Sequence, residues 1–341
     1  MRVIRLHGKG DLRVHDEADP APGPGERIVQ VHAVGICGSD LHWYEQGGVG
    51  ESQIDQPLVL GHEFAGTITD ADGRAVLAAV DPAIACGQCR SCQEGHPNLC
   101  TRIRFAGYGI DDGALREKLA WHGKCIHPLP EGMSAVEGVM LEPLGVALHA
   151  VDLGSLKMSM KVGVFGCGPI GLLIVRIAQL MGASQVIATD TRPHRLGVAN
   201  EMGASTFLAS EDGSERGEVS TLTGGEGVDV AFEVAGENAA VETAVACTRP
   251  GGTVVLVGIP GTDHTSFQAS TARRKGLTIK LSRRMKYAYP RAIHLVQTGQ
   301  IDVKSLVTHR FAADDYREAF NVAGRREGLK VVIDFLNLQR D

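Results

Sequence analysis

Val162-Gly163-Val164-Phe165-Gly166-Cys167-Gly168-Pro169-Ile170-Gly171 runs a short apolar strand straight into a glycine loop that opens a helix. In a Gly-x-Gly-x-x-Gly turn the first glycine makes the tight bend, the second lets backbone approach a pyrophosphate, and the third permits close helix–strand packing. Gly166, Gly168 and Gly171 fill those places, and Pro169 and Ile170 begin the helix whose free amides face the phosphates. Asp190 stands nineteen positions beyond Gly171, at the end of the next predicted strand, where a carboxylate accepts both ribose hydroxyls. That carboxylate repels a 2′-phosphate and favours NAD over NADP, whereas Arg192 and Arg195 could attract one or could simply open a solvated helix. An unliganded glycine-rich turn is the bland alternative, and the strand, loop, helix, strand and acid in this order weigh against it.

The alternation continues on either side of this loop. Helices are expected over Pro169–Met181 and Arg192–Met202, and strands over Gln185–Thr189, Val228–Val234, Thr253–Val257 and Leu277–Leu281. Strands alternating with helices imply a parallel sheet covered on both faces, a doubly wound α/β domain spanning residues 152–284. Residues 1–70 read as short strands and turns, with Arg27–Val34 alternating and a breaker at Pro20–Gly25 before it. The tail from about residue 285 breaks the alternation and is expected to return to the first domain, giving a second unit of 1–151 plus 285–341.

Composition narrows the function. At 341 residues with 43% hydrophobic and 22% charged, the chain reads as globular and long enough for two domains. A net charge of −6 argues against a nucleic-acid partner bound through phosphates. The most apolar stretch, 162–175, is too short to span a bilayer, and Met1–His7 lacks the apolar core of a secretory signal, so no membrane and a cytoplasmic location are expected. Glycine is the outlier at 43 residues, which points to tight turns and close backbone approach to a ligand.

Two sets of metal-ligand residues stand out. Cys86, Cys89, Cys92 and Cys100 crowd into fifteen residues of predicted loop. Four thiolates there enclose a tetrahedral ion with no open position, which suits a structural zinc; reduced thiols or an iron–sulfur cluster are the alternatives. The second set is scattered: Cys37, then His62 and Glu63, then Glu142. Thiolate, imidazole and carboxylate are the ligand types of an open catalytic zinc. Plainer readings exist too: Cys37 as a small buried hydrophobe, His62 as a core histidine and Glu142 as a helix N-terminal acid. Cys125, Cys167 and Cys247 read as buried fillers, His7, His15, His122, His194 and His264 as surface or loop histidines, and Arg273-Arg274-Lys275 as a solvated turn.

Taken together, GICGSDLH (35–42), VLGHEFAG (59–66), the cysteine cluster, LEPLGVALHA (141–150), GCGPIG (166–171) and LVTHRF (306–311) resemble the zinc-dependent medium-chain dehydrogenases over essentially the whole chain, most closely their polyol branch. The resemblance implies a Rossmann domain beside a mostly β, GroES-like catalytic domain, with a cleft between them. It implies an oxidoreductase that passes a hydride from a secondary alcohol of a sugar alcohol or sugar acid to NAD, with one catalytic and one structural zinc. Cys37, His62 and Glu63 match catalytic ligands, with Glu142 as a direct or water-mediated partner, and which carboxylate touches the metal stays open. Ser39 and His42 match a proton relay. Trp43, Phe105, Glu142 and Arg284 match pocket positions, the last by alignment around Tyr289-Pro290. A homotetramer or dimer is implied. A threonine or vicinal-diol dehydrogenase is the alternative enzyme, and a non-catalytic NAD-binding protein the alternative class. Between Thr67 and Cys86 the chain is shorter than in such relatives.

Overall fold

The structure, a computed structural model, describes residues 1–210 and 213–336. It divides into two compact units, Met1–Pro143 joined by the chain from Tyr289 onward, and Leu144–Ala288.

The second unit is built on a six-stranded parallel sheet. Its strands run in the order Ser205–Leu208, Gln185–Asp190, Lys161–Phe165, Val228–Glu233, Thr248–Leu256 and Thr278–Leu281. Strand order reverses between Lys161–Phe165 and Val228–Glu233, and in open sheets of this kind ligands bind at the carboxyl ends beside such a reversal. The expected strands and helices are present within a few residues of their predicted bounds, the two helices as Pro169–Leu180 and Pro193–Glu201. Phe165, Ile187, Val228, Ala231 and Val254 are buried in one cluster, as strands covered on both faces require. The run Arg273-Arg274-Lys275 is not a solvated turn: it ends the helix Ala269–Lys275. Lys275 Nζ donates to the carbonyls of Thr248 at 2.7 Å, Val245 at 3.4 Å and Ala246, satisfying the open end of the helix Asn238–Cys247.

In the first unit the ten-residue strand Glu26–Gly35 is the hub. Glu63–Thr69 and Lys118–His122 pair with it antiparallel, and so does Lys330–Asp334 from the tail. Leu6, Leu12, Leu60, Phe64, Leu115, Trp121 and Phe320 fill the core beneath; each such side chain is worth about 1.5–3 kcal/mol of burial. The shortened segment is a hairpin, Glu63–Thr69 against Ala75–Val80. It closes at Asp70, whose Oδ1 accepts from the amides of Asp72 and Arg74, with Gly73 at φ 79. One element of this region departs from the strand-and-turn expectation: Gly38–Gln46 is a helix. His7 and His15, both half-exposed, stack on each other with their Nε2 atoms 2.8 Å apart.

The helix Ala135–Gly154 opens on a reciprocal cap, in which Ser134 N donates to Glu137 Oε2 at 2.7 Å and Glu137 N to Ser134 Oγ at 3.3 Å. It lies close on the sheet at Gly138, where a Cβ would come within 2.7 Å of Ala65 Cβ. Glu142 stands one turn further on the same face. Among the described residues no helix is long and apolar enough to cross a membrane.

Candidate functional site

Cys37 sits where the hub strand ends and the helix Gly38–Gln46 begins. Asp40, buried in that first turn, accepts from Cys37 N through Oδ2 at 2.9 Å and from Gly61 N through Oδ1 at 3.3 Å. The same Oδ1 lies 3.4 Å from His62 Nδ1, so one carboxylate fixes the thiol-bearing cap and orients the imidazole. Its role shows only in three dimensions; in the sequence it was one letter of a motif. With Nδ1 held, His62 Nε2 lies 3.5 Å from Ser39 Oγ. His42 is half-buried one turn after Ser39.

Ligand atoms of Cys37, His62 and Glu63 lie within 4.8 Å of one another. The residues converge because Gly35 and Glu63 are register partners on adjacent strands, and a Cβ at Gly35 would fall 2.2 Å from Glu63 Oε2. Glu142 stands outside that trio, and burial pushes its carboxyl up to about 7, with Glu63 adding to the rise and His62 opposing it. Sequence reasoning missed Lys330. Its Nζ donates to both Glu63 oxygens at 2.7 Å and to Ile36 O at 3.1 Å, inside the core. Burial works against its charge, yet Glu63 and Cys37 hold its pKa above the ordinary range. A half-buried thiol with a buried imidazole and a buried carboxylate forms a donor set that fits a divalent zinc.

The Phe105 ring lies 5.3 Å from that of His62, and Trp43 is buried edge-on to Tyr108 at 5.7 Å. Arg284 belongs to the other compact unit and has a left-handed backbone, φ 57.

The four-cysteine segment is a loop with a short helix, Arg90–Gln93, and a 3₁₀ turn, Pro97–Leu99, inside it. Sulfur–sulfur distances are 3.5 Å for Cys89–Cys92, 3.8 Å for Cys89–Cys100 and 4.0 Å for Cys86–Cys92. A tetrahedral ion with zinc–sulfur bonds of about 2.3 Å has edges of about 3.8 Å, so the cage fits zinc. The amides of Gln88 and Cys89 pull the Cys86 thiol down to about 5, and Arg102 adds a guanidinium contact to its sulfur at 3.4 Å. Cys125, Cys167 and Cys247 are buried, and burial pushes each thiol up to about 12, which leaves them inert packing.

In the other unit, Gly166 has φ 110, and a Cβ there would meet Ala235 N at 2.7 Å. A Cβ at Gly171 would meet Gly166 O at 1.9 Å, so both ends of the loop demand glycine. Gly168 caps the helix with Pro169 at its first position. Asp190 Oδ2 accepts from Cys167 N at 2.7 Å and its Oδ1 from Arg192 N at 2.8 Å, with Arg195 Nη1 4.0 Å away. The carboxylate is thereby tied to the loop itself. A second missed acid, Glu233, ends the neighbouring strand and accepts from Ala235 N at 2.8 Å and Gly236 N at 2.7 Å, fixing the turn that abuts Gly166. Its position, last in an apolar strand and followed by Val-Ala-Gly, was the available signal.

Comparison with known proteins finds two family matches along the chain. Residues 23–131 match the alcohol dehydrogenase GroES-like domain and residues 169–298 the zinc-binding dehydrogenase domain. Sorbitol dehydrogenase of Bacillus subtilis is 32% identical over 342 residues, covering 98% of this chain and 97% of that protein. Among solved structures, L-idonate 5-dehydrogenase from Escherichia coli superposes with a TM-score of 0.90 at 29% identity, over 98% of both chains. The 2R,3R-butanediol dehydrogenase from Bacillus subtilis does so with 0.86 at 29% identity, over 98% of this chain and 99% of that one. Likeness of this extent, through both units and nearly end to end, places the chain in the zinc-dependent medium-chain alcohol and polyol dehydrogenase family, as an oxidoreductase.

Proposed function

We propose that the protein oxidises a secondary alcohol of a polyol to a ketone with NAD as acceptor, using one catalytic and one structural zinc per chain. The observation that carries this reading is the convergence of Cys37, His62 and Glu63 within 4.8 Å, with Ser39 beside His62. When bound, zinc supplies Lewis acidity to the alcohol oxygen and the dinucleotide supplies the hydride acceptor. Cys37, His62 and Glu63 hold the metal, with Glu142 as the neighbouring acid. Asp40 keeps His62 in register for that task. Ser39 takes the alcohol proton and His42, one helical turn on, passes it outward, a role an imidazole performs near neutral pH. Phe105 and Trp43 line the substrate, as does Arg284. Cys86, Cys89, Cys92 and Cys100 hold the structural ion.

Gly166, Gly168, Pro169, Ile170 and Gly171 cradle the pyrophosphate and Asp190 takes the ribose hydroxyls. NAD is favoured because Asp190 stands at the strand end itself, while Arg195 is 4.0 Å from its carboxylate. A homotetramer or dimer is part of the reading. It is supported by the edge strand Thr278–Leu281, whose Leu281 is 76% exposed. So is a cytoplasmic location, in keeping with eight unbridged cysteines.

The test is NADH formation by zinc-replete protein across sugar alcohols, sugar acids, threonine and butanediol. Turnover of sugar alcohols or acids supports the reading. Turnover of butanediol or threonine alone keeps the chemistry and moves the substrate. No turnover with either dinucleotide overturns it in favour of a non-catalytic NAD-binding protein.

A further inference from the structure

The wall beside His62 continues past Phe105 into a turn whose conformation is tightly prescribed. Gly107 N and Tyr108 N both donate to Asp111 O, at 2.9 and 3.2 Å, and Asp111 N returns to Tyr108 O at 3.2 Å. Gly107 and Gly109 adopt φ 77 and 64, and Asp111 Oδ2 accepts from Phe105 N at 3.2 Å. This turn sets the Tyr108 ring edge-on against buried Trp43, 5.7 Å between centroids at 77°. Tyr108 Oη then lies 2.6 Å from Ser52 Oγ, on the small hairpin Gly48–Val49 and Ser52–Gln53. Phe105 thus lies beside His62, and the turn that follows it carries Tyr108, which meets Trp43 edge-on and ends in a hydroxyl pair. Tyr108 remains 37% exposed.

A phenol and a serine joined by one hydrogen bond keep one O–H donor and several acceptor lone pairs free. Such a pair matches another hydroxyl, which donates and accepts, and offers no charge to a carboxylate or phosphate. The arginines of this stretch are committed elsewhere: Arg104 to Asp111 and Glu26, and Arg5 and Arg116 to Asp112.

Resting on the polyol dehydrogenase reading, we propose that Tyr108 and Ser52 form a hydroxyl-reading pair at the far end of the substrate site, which selects an uncharged sugar alcohol over a sugar acid. Phe105, beside His62, carries the C–H side of the chain, and the pair engages a hydroxyl remote from the reacting carbon.

The experiment compares wild type with Tyr108→Phe and Ser52→Ala on sorbitol, idonate and 2,3-butanediol, the last a diol with no hydroxyl beyond its two vicinal ones. Wild type is expected to prefer sorbitol to idonate. Tyr108→Phe is expected to raise the KM for sorbitol about tenfold with kcat within about twofold, and to leave kcat/KM for butanediol within about twofold. Ser52→Ala should move the same parameter in the same direction. An unchanged sorbitol KM in both variants overturns the inference, as does an equal fall on sorbitol and butanediol, which marks a merely structural turn. A wild type that prefers idonate, or turns over butanediol but no sorbitol, also overturns it while leaving a dehydrogenase. A wild type inactive on all three overturns the inference and the proposed function together.

Discussion

Lys330 and Glu63 form a sealed ion pair, both carboxylate oxygens 2.7 Å from one ammonium, with relative exposures of 4% and 1%. They are 267 residues apart in sequence and meet because the tail strand Lys330–Asp334 joins the hub strand that also pairs with Glu63–Thr69. The pair sets a carboxylate against an ammonium beside Cys37 and His62, in a place where an unpaired charge is not tolerated. Removing one partner therefore costs far more than removing both. Lys330→Met should destabilise this unit by about 3–5 kcal/mol, seen as a clear drop in melting temperature. The double variant Glu63→Gln/Lys330→Met should recover most of it. A double variant as unstable as Lys330→Met would show that the pair is not the source of the loss.

The cysteine cage makes a separable prediction. Cys100 is buried, and its sulfur accepts from the amides of Cys86 and Arg102 at 3.4 Å each. Cys100→Ser should lower zinc content from about two ions per chain to about one, with a fall in melting temperature. Turnover at moderate temperature should be largely kept, because Cys37 and His62 are untouched. Metal analysis by mass spectrometry reads the first effect and calorimetry the second; unchanged zinc content in the variant would remove the cage from the account.

Asp190 is tested by cofactor affinity alone. Asp190→Asn keeps one oxygen, enough for Cys167 N or Arg192 N but not both, and gives up the charge that ribose hydroxyls favour and a 2′-phosphate opposes. NADH should bind about tenfold more weakly, while NADPH, with Arg195 nearby, should bind no worse or better than before. Fluorescence titration of both reduced cofactors decides it, and equal losses for the two would count against the ribose contact.

How far the sequence could be read depended on the range of each contact. The loop Gly166–Gly171 and the four cysteines work over a few residues, so spacing alone carried their geometry into the fold. Cys37, His62 and Glu63 stood out by ligand type and by the family resemblance, but their meeting rests on the register Gly35 with Glu63, which no local pattern encodes. Lys330 was invisible for the same reason: a lysine near the end of the chain reads as solvated until a strand pairing buries it. The edge strand Ser205–Leu208 was also missed, because Ser-Thr-Phe-Leu, with no side chain fully buried, presents no apolar run. Gly38–Gln46 hid as a helix because its two buried side chains, Asp40 and Trp43, make no amphipathic stripe.

Stability should depend on pH through two histidines that belong to neither metal-ligand set. His32, with Nε2 3.1 Å from Thr67 Oγ1, and His127, stacked on Tyr289 at 4.6 Å, are both held below the ordinary 6.5 by burial. In the unfolded chain each regains its ordinary pKa and so takes up a proton sooner than in the fold. Between those two values the unfolded state binds more protons, and folding loses stability as pH falls. The stability they contribute is thus present above about pH 6.5 and declines as the pH drops through their depressed native values. Denaturant unfolding from about pH 7.5 to about pH 5.5 should show this decline, and it should be shallower in His32→Gln/His127→Gln. Because the cysteine cage also loses zinc in acid, the comparison is the slope of the double variant against wild type at equal zinc content. Parallel slopes would mean that neither histidine titrates differently in the fold.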